Sequence, residues 1–457
     1  MEVIMSTVKF KSLFLRAALV GGLCVAVTGS VVAEVVTTSF QNGVNGYTGT
    51  FERTISERND HNVNGSEVPN DFLDGYQKDT SPDEQRLIRF DNIIGSDPGQ
   101  IPAGATILSA KLVVTTSLVG NAQTGGPYGV AGIIQPFDST TMYYDYVSQT
   151  EMVGRGPWWE DGSATRPVSA YGPQDQGNTD SANVTSVVQS WVDGMENNGL
   201  AIQAGLSNEI TQVANTTDGW SIRTIGYPLA DTRPKLVVSY TTTPVVKRTF
   251  QEGKDGYAGT VMAIVRSGTN ALIADTPDEA TEDASTLDQT FLDGALFTDL
   301  TGVTSSPDDL AFLKFANVFG TEPNQAPMDV PVAKAWVVIT TGDTSNNARS
   351  AGPYAAYPVL QPWDMTSLHS SFGAINGLQV SDGDIGPALD SQNAFTRGAE
   401  AWFDVTDYLE AVRTGATDNG IAIQANGTSD GWQIHTNGST TPDARPWLVV
   451  YSADLGL

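Results

Sequence analysis

An eleven-residue segment near the start of the chain is met again halfway along it. Phe40-Gln41-Asn42-Gly43-Val44-Asn45-Gly46-Tyr47-Thr48-Gly49-Thr50 returns as Phe250-Gln251-Glu252-Gly253-Lys254-Asp255-Gly256-Tyr257-Ala258-Gly259-Thr260. Shorter pairs follow in the same order. Phe72-Leu73-Asp74-Gly75 matches Phe291-Leu292-Asp293-Gly294, and Gly126-Pro127-Tyr128 matches Gly352-Pro353-Tyr354. Gln135-Pro136-Phe137-Asp138 matches Gln361-Pro362-Trp363-Asp364. Asp218-Gly219-Trp220 matches Asp430-Gly431-Trp432, and Arg233-Pro234 matches Arg445-Pro446. The offset runs only from 210 (Phe40 to Phe250) to 226 (Gly126 to Gly352). One structural solution must therefore serve twice. The copies span 34–243 and 244–457. Their join, Thr241-Thr242-Thr243-Pro244, is short and stiffened by proline, so it restricts their relative orientation.

Within each copy the apolar period is mostly two. Leu108, Ala110, Leu112 and Val114 alternate with other residues, and Lys235–Tyr240 reads as a closing strand. The exception recurs in both copies. Val184, Val187, Val188 and Trp191 stand at helical spacing before Gly194, as do Val405, Tyr408, Leu409 and Val412 before Gly415. The expected fold is all-β: two tandem jelly-roll-like β-sandwiches, each with one short capping helix. A charged fraction of 17% beside 46 Gly and 23 Pro favours strands and turns over coiled coils.

The N-terminus carries Lys9, Lys11 and Arg16, then an apolar, glycine-broken run to Val31-Val32-Ala33. This reads as a secretory signal peptide over 1–33, with a mature chain that is extracellular, cell-surface or periplasmic. Cys24 is the only cysteine and lies inside that run, so the mature chain has no disulfide, thiol nucleophile or cysteine-ligated metal. No other apolar stretch is long enough for a membrane-spanning helix. A net charge of -28 argues against nucleic acid as a partner.

The repeated opening segment, the strand Leu87-Ile88-Arg89-Phe90-Asp91 and the stretch Ile101-Pro102-Ala103-Gly104-Ala105-Thr106-Ile107-Leu108 resemble the DNRLRE domain. That family overlaps with disaggregatase-related repeats and with carbohydrate-binding module family 96. Phe403-Asp404-Val405-Thr406 ahead of a helix, and Gly-Trp ahead of an Arg-Pro strand, are similar to its late signature. The resemblance covers both copies. It implies a secreted β-sandwich that binds polysaccharide or sits in a cell-surface or matrix protein.

Histidine is nearly absent: His61, His369 and His435 occupy unmatched positions. A histidine base or multi-histidine metal site is therefore not expected. Gly427-Thr428-Ser429-Asp430-Gly431 has the spacing of a nucleophile elbow, but Asn215-Thr216-Thr217-Asp218-Gly219 in the other copy lacks its Ser and first Gly. A hairpin turn is the plainer reading. The repeated carboxylates Asp74/Asp293, Asp138/Asp364 and Asp218/Asp430 suit turn chemistry. Asp60, Asn62, Asn64 and Asp71 have the spacing of a calcium loop, which needs oxygens at alternate positions and a glycine, here Gly65, at the bend. Calcium is thus a candidate cofactor.

Sugar binding calls for flat aromatic rings with polar neighbours. The candidates are Trp158 and Trp159 with Arg155 and Arg166, Trp220 with Arg223 and Arg233, Trp432 with Arg445, and Tyr128 and Tyr354. The expected function is non-catalytic binding of an extracellular polysaccharide, with tandem copies raising apparent affinity. The first copy should bind more strongly, since Arg223 is replaced by His435 in the second. The alternatives are a structural surface or matrix protein that packs against neighbouring proteins, and a polysaccharide lyase or hydrolase on the same sandwich.

Overall fold

A computed structural model describes residues 34–56, 61–74, 77–78, 81–82, 84–145, 162–204, 219–267, 280–298, 304–307, 309–343, 348, 350, 352–372, 378–393, 395–428 and 430–453. Residues 1–33, read above as a signal peptide, lie outside them, as do Asp60, Arg155, Trp158 and Trp159. No helix among the described residues is long and apolar enough to cross a membrane.

The fold is an all-β sandwich. In the first copy a four-stranded antiparallel sheet runs Val36–Gln41, Lys235–Thr241, Thr106–Thr115, Thr179–Asn183. It faces a six-stranded sheet ordered Ser169–Tyr171, Tyr128–Gly132, Leu200–Ala204, Glu84–Phe90, Thr50–Ser56, Val63–Asn64. A two-stranded ribbon, Asn70–Leu73 with Trp220–Arg223, closes one end. The second copy repeats all three: Val245–Gln251, Trp447–Ala453, Val332–Thr340, Glu400–Asp404; then six strands from Ala280–Asp283 to Asp390–Gln392; then Gln289–Leu292 with Trp432–His435. Residues 32–457 form one compact unit.

Period-two alternation drives this layering. In Glu84–Phe90, Ile88 and Phe90 face the core between the sheets, while Leu87 joins a second cluster on the outer face with Ile55, Phe137 and Tyr143. The six-stranded sheet is therefore covered on both sides. The two helices, α1 (Thr185–Val192) and α2 (Thr406–Arg413), cap the core as their spacing predicts.

The repeated segments are locks for this scaffold. Gln41 donates its amide to Arg233 O at 2.7 Å, and Arg233 donates to Asn42 O and Tyr227 O at 3.0 and 2.7 Å. Gln251 and Arg445 repeat the arrangement on Arg445 O, Glu252 O and Ser439 O. Gly43 has a φ of +84°, and a Cβ there would sit 2.8 Å from Arg233 Nη1. Both arginines therefore clasp the opening turn to the closing strand. Both of these expected ligand contacts thus already serve the scaffold.

Trp220 and Trp432 are the central pillars. Each is fully buried, and each donates its indole N–H to a threonine, Thr116 at 3.0 Å and Thr341 at 3.1 Å. Tyr128 and Tyr171 pack on Trp220, Tyr354 and Phe395 on Trp432. Tyr128 and Tyr354 are themselves wholly enclosed. These four rings cannot stack on a sugar, contrary to the expectation above. Trp220→Ala and Trp432→Ala are each expected to destabilise the chain by about 3–5 kcal/mol in denaturant titrations, the usual cost of emptying a site this large.

Candidate functional site

The remaining expected contacts are dispersed. Arg223 is buried, with its guanidinium 4.4 Å from the Tyr227 ring centroid. The stronger binding expected of the first copy rested on this cation, which solvent does not reach. Arg166 lies at the junction of the copies, against Gly398. There Glu400 donates its backbone N–H to Pro167 O at 3.1 Å. Burial holds the Glu400 carboxyl above its ordinary range, and Arg166 works against that shift. A polar cavity of about 350 Å³ opens beside this junction. Lys111 and Asp180 from one copy and Lys334, Asp390 and Asp404 from the other line it.

Of the calcium set, Asp60 lies outside the described residues, and the other three have protein partners. Asn64 accepts from Arg53, and Asn62 accepts from the backbone N–H of Ser56. Asp71 is taken up by cationic and hydroxyl donors: Arg86 at 2.6 Å, His61 at 2.9 Å and the Thr54 hydroxyl. Among the described residues no group of three or more His, Cys, Asp or Glu is placed to hold a metal ion.

Those donors belong to a buried charge cluster that sequence spacing did not reveal. On the inner face of the six-stranded sheet, Glu52, Thr54 and Ser56 stand opposite Ile88, Arg86 and Glu84. The ribbon supplies Asp71 from above. Glu52 and Arg86 have no exposed surface. His61 bridges Asp71 and Glu84, with its Nδ1 at 2.6 Å from Glu84 Oε1, and is the member that solvent reaches. Glu52 Oε2 accepts from the Ile225 N–H at 2.7 Å, while Glu52 Oε1 and Arg86 Nε and Nη1 have no partner among the described residues. Burial pushes the Glu52 carboxyl up. Hydrogen bonds donated to both carboxylates hold the His61 imidazole cationic, with its pKa pushed up to about 10. For Asp71, burial opposes the shift, but Arg86 and His61 prevail and draw its carboxyl below the usual range.

The twin copy shows what the fold itself requires here. Strand register makes Met262 the counterpart of Glu52, Ile264 of Thr54, Ala311 of Arg86 and Thr290 of Asp71. The second copy thus carries no charge at the positions of Glu52, Asp71 and Arg86, and instead pairs Arg266 with the buried Asp309 at the positions of Ser56 and Glu84. Buried ion clusters seldom outperform hydrophobic replacements in stability. Glu52, Asp71 and Arg86 are therefore not a demand of the scaffold, and the mismatch marks the place as a candidate site.

A second mismatch lies on the outer face of the same sheet. In the first copy Phe137 is buried against Phe51 at 5.6 Å, and the Arg89 guanidinium lies over both rings. In the second copy Trp363 takes the place of Phe137 and stacks on Phe312 at 4.7 Å, nearly parallel at 13°. Its indole N–H donates to Asn419 O at 2.6 Å. Lys314 replaces Arg89 and donates instead to Asp418 O. The indole stays half-exposed in a groove of about 360 Å³ with Val261, Lys314, Pro362, Asp364, Met365 and Asn419. Hydrogen bonds from Thr366 fix the exposed Asp364 carboxylate and lower its pKa.

Moving the second copy's residues into the first, as Glu52→Met, Thr54→Ile, Asp71→Thr and Arg86→Ala together, is expected to leave stability unchanged or raise it by about 1–4 kcal/mol. Arg86→Ala alone should cost about 3–5 kcal/mol, because it strands buried carboxylates. Denaturant titration of both variants checks the pair. The His61 pKa is raised on folding, so its contribution to stability is complete below 6.5 and is lost as pH climbs through about 10. NMR should show its ring untitrated over about pH 5 to 8, and His61→Asn should flatten the alkaline fall in stability. No family model matches the chain, and no curated protein matches it.

Proposed function

We propose that this chain is a secreted, non-catalytic polysaccharide-binding protein whose sugar contact is the groove at Trp363. One observation carries the reading: the indole is open to solvent in the second copy, while Arg89 caps the equivalent Phe137 in the first. A pyranose has an apolar face and a rim of hydroxyls. Trp363 offers the flat surface, and Asp364, Lys314 and Asn419 stand around it as hydroxyl partners. Stacking on Phe312 and the bond to Asn419 O already lock the ring, so little ordering cost remains at binding. The resemblance to DNRLRE domains and the signal-like N-terminus support the class and the compartment.

A second reading, hydrolysis or elimination on the same polymer, is favoured by the charge cluster at His61, which the fold does not need. The two separate cleanly. Trp363→Ala is expected to weaken retention on soluble polysaccharides in affinity electrophoresis about tenfold or more, the ~1.4 kcal/mol that an aromatic anchor commonly carries. Retention unchanged by this substitution would remove the groove from the function. Release of reducing ends or unsaturated products by the intact chain, abolished by His61→Asn, would install the second reading.

A further inference from the structure

The two capping helices correspond residue for residue, yet they close their sandwiches differently. Helix α1 buries Val187, Val188, Trp191 and Val192. Helix α2 buries Leu409 alone. The position of Trp191, which is 4% exposed and part of the main core, is taken in α2 by Val412. A neighbouring position of the core differs as well. The bridge Ile94 to Ile101 corresponds to Phe319 paired with Ala326, so Ala326 stands for Ile101. Val412 thus replaces the larger Trp191 at the cavity, while Phe319, which also lines it, replaces the smaller Ile94.

What remains beneath α2 is a cavity of about 290 Å³. Its walls are Leu313, Phe315, Val318, Leu409, Ile421 and Leu448, all apolar. Lys314, Asn317, Tyr408 and Asp418 add polar groups to the lining. Tyr408 donates its hydroxyl proton to Asp418 Oδ1 at 2.6 Å and accepts from the Gly420 N–H at 2.8 Å. The volume is close to the lower bound of small-molecule sites, roughly 300–1,000 Å³. An empty apolar cavity weakens a core, and α1 avoids that loss with its own indole. Cavities of this kind take up apolar rings from solution.

We propose that the cavity under α2 is a binding site for a small, planar, apolar molecule of about the size of a fused bicyclic ring. The first copy names the occupant: Trp191 places an indole at the equivalent position of the same sandwich. A free ligand supplies in the second copy what the chain itself supplies in the first. The site opens beneath α2 and shares one lining residue, Lys314, with the Trp363 groove.

The test uses the full chain with indole as the probe. Calorimetry or ligand-observed NMR is expected to find about one indole bound per chain, with Tm rising as indole is added. Val412→Trp installs a side chain that the twin helix already accommodates, and it should lower indole affinity at least about tenfold. Trp191→Val should open a second indole site. Polysaccharide retention should be unchanged in Val412→Trp. Absence of indole binding by the parent chain, or equal binding by the parent and Val412→Trp, would overturn the proposal.

Discussion

An indole buried between two sheets must find an acceptor for its N–H, and in each half of this protein that acceptor is a threonine. Thr116 and Thr341 sit where the long strands Thr106–Thr115 and Val332–Thr340 end, so Trp220 and Trp432 tie the closing ribbon to the sandwich. Much else follows from that tie. Gly219 and Gly431 come before the tryptophans because Phe72 and Phe291 lie against them, and a Cβ would fall 1.9 Å from either ring. Tyr128 and Tyr354 send their hydroxyls to Leu73 O and Leu292 O on the ribbon. The Asp-Gly-Trp, Phe-Leu-Asp-Gly and Gly-Pro-Tyr matches are thus parts of one packing unit.

The fold was largely legible in the chain, because a duplicated pattern of strands, turns and one helix leaves few arrangements that satisfy both copies. The site was less so, for a physical reason. Residues shared by the copies answer needs common to both, and those needs are packing and turn closure: Trp220, Tyr128 and Arg233 all serve the scaffold. Aromatic side chains suit a core as well as a sugar, and type alone does not separate the two. The informative positions are the unmatched ones. Glu52 against Met262, Arg86 against Ala311, Phe137 against Trp363 and Trp191 against Val412 are visible in the sequence once strand register aligns them. The helix spacing had already placed Trp191 and Val412 side by side. The buried ion cluster needed coordinates, because Asp71 and Arg86 come from separate strands.

The duplication has also let charge settle unevenly. The first copy holds Glu52, Asp71, Glu84, Arg86 and His61 at one end of its interior, while the second pairs the buried Asp309 with Arg266, which also reaches the more exposed Glu282. On the outer face of the four-stranded sheet the imbalance is reversed in kind. Trp336 and Trp402 of the second copy correspond to Lys111 and Ser181 of the first. Burial raises the pKa of both Asp180 and Asp390 at the junction cavity, with Lys111 as the opposing charge for each. The junction is therefore a polar seam between unlike surfaces of like origin.

Strand pairing at the edges of the two sandwiches sets how the chain would carry load. Val36 lies opposite Tyr240, next to the join, and Val245 on the far side of that join lies opposite Ala453. Tension across either copy therefore acts on two neighbouring ends of one antiparallel pair. Such a pair peels apart rung by rung, with each hydrogen bond bearing the force in turn instead of all sharing it as in sliding. A molecule tethered at both extremities would yield gently, releasing length at low force, and would act as a soft extensible link.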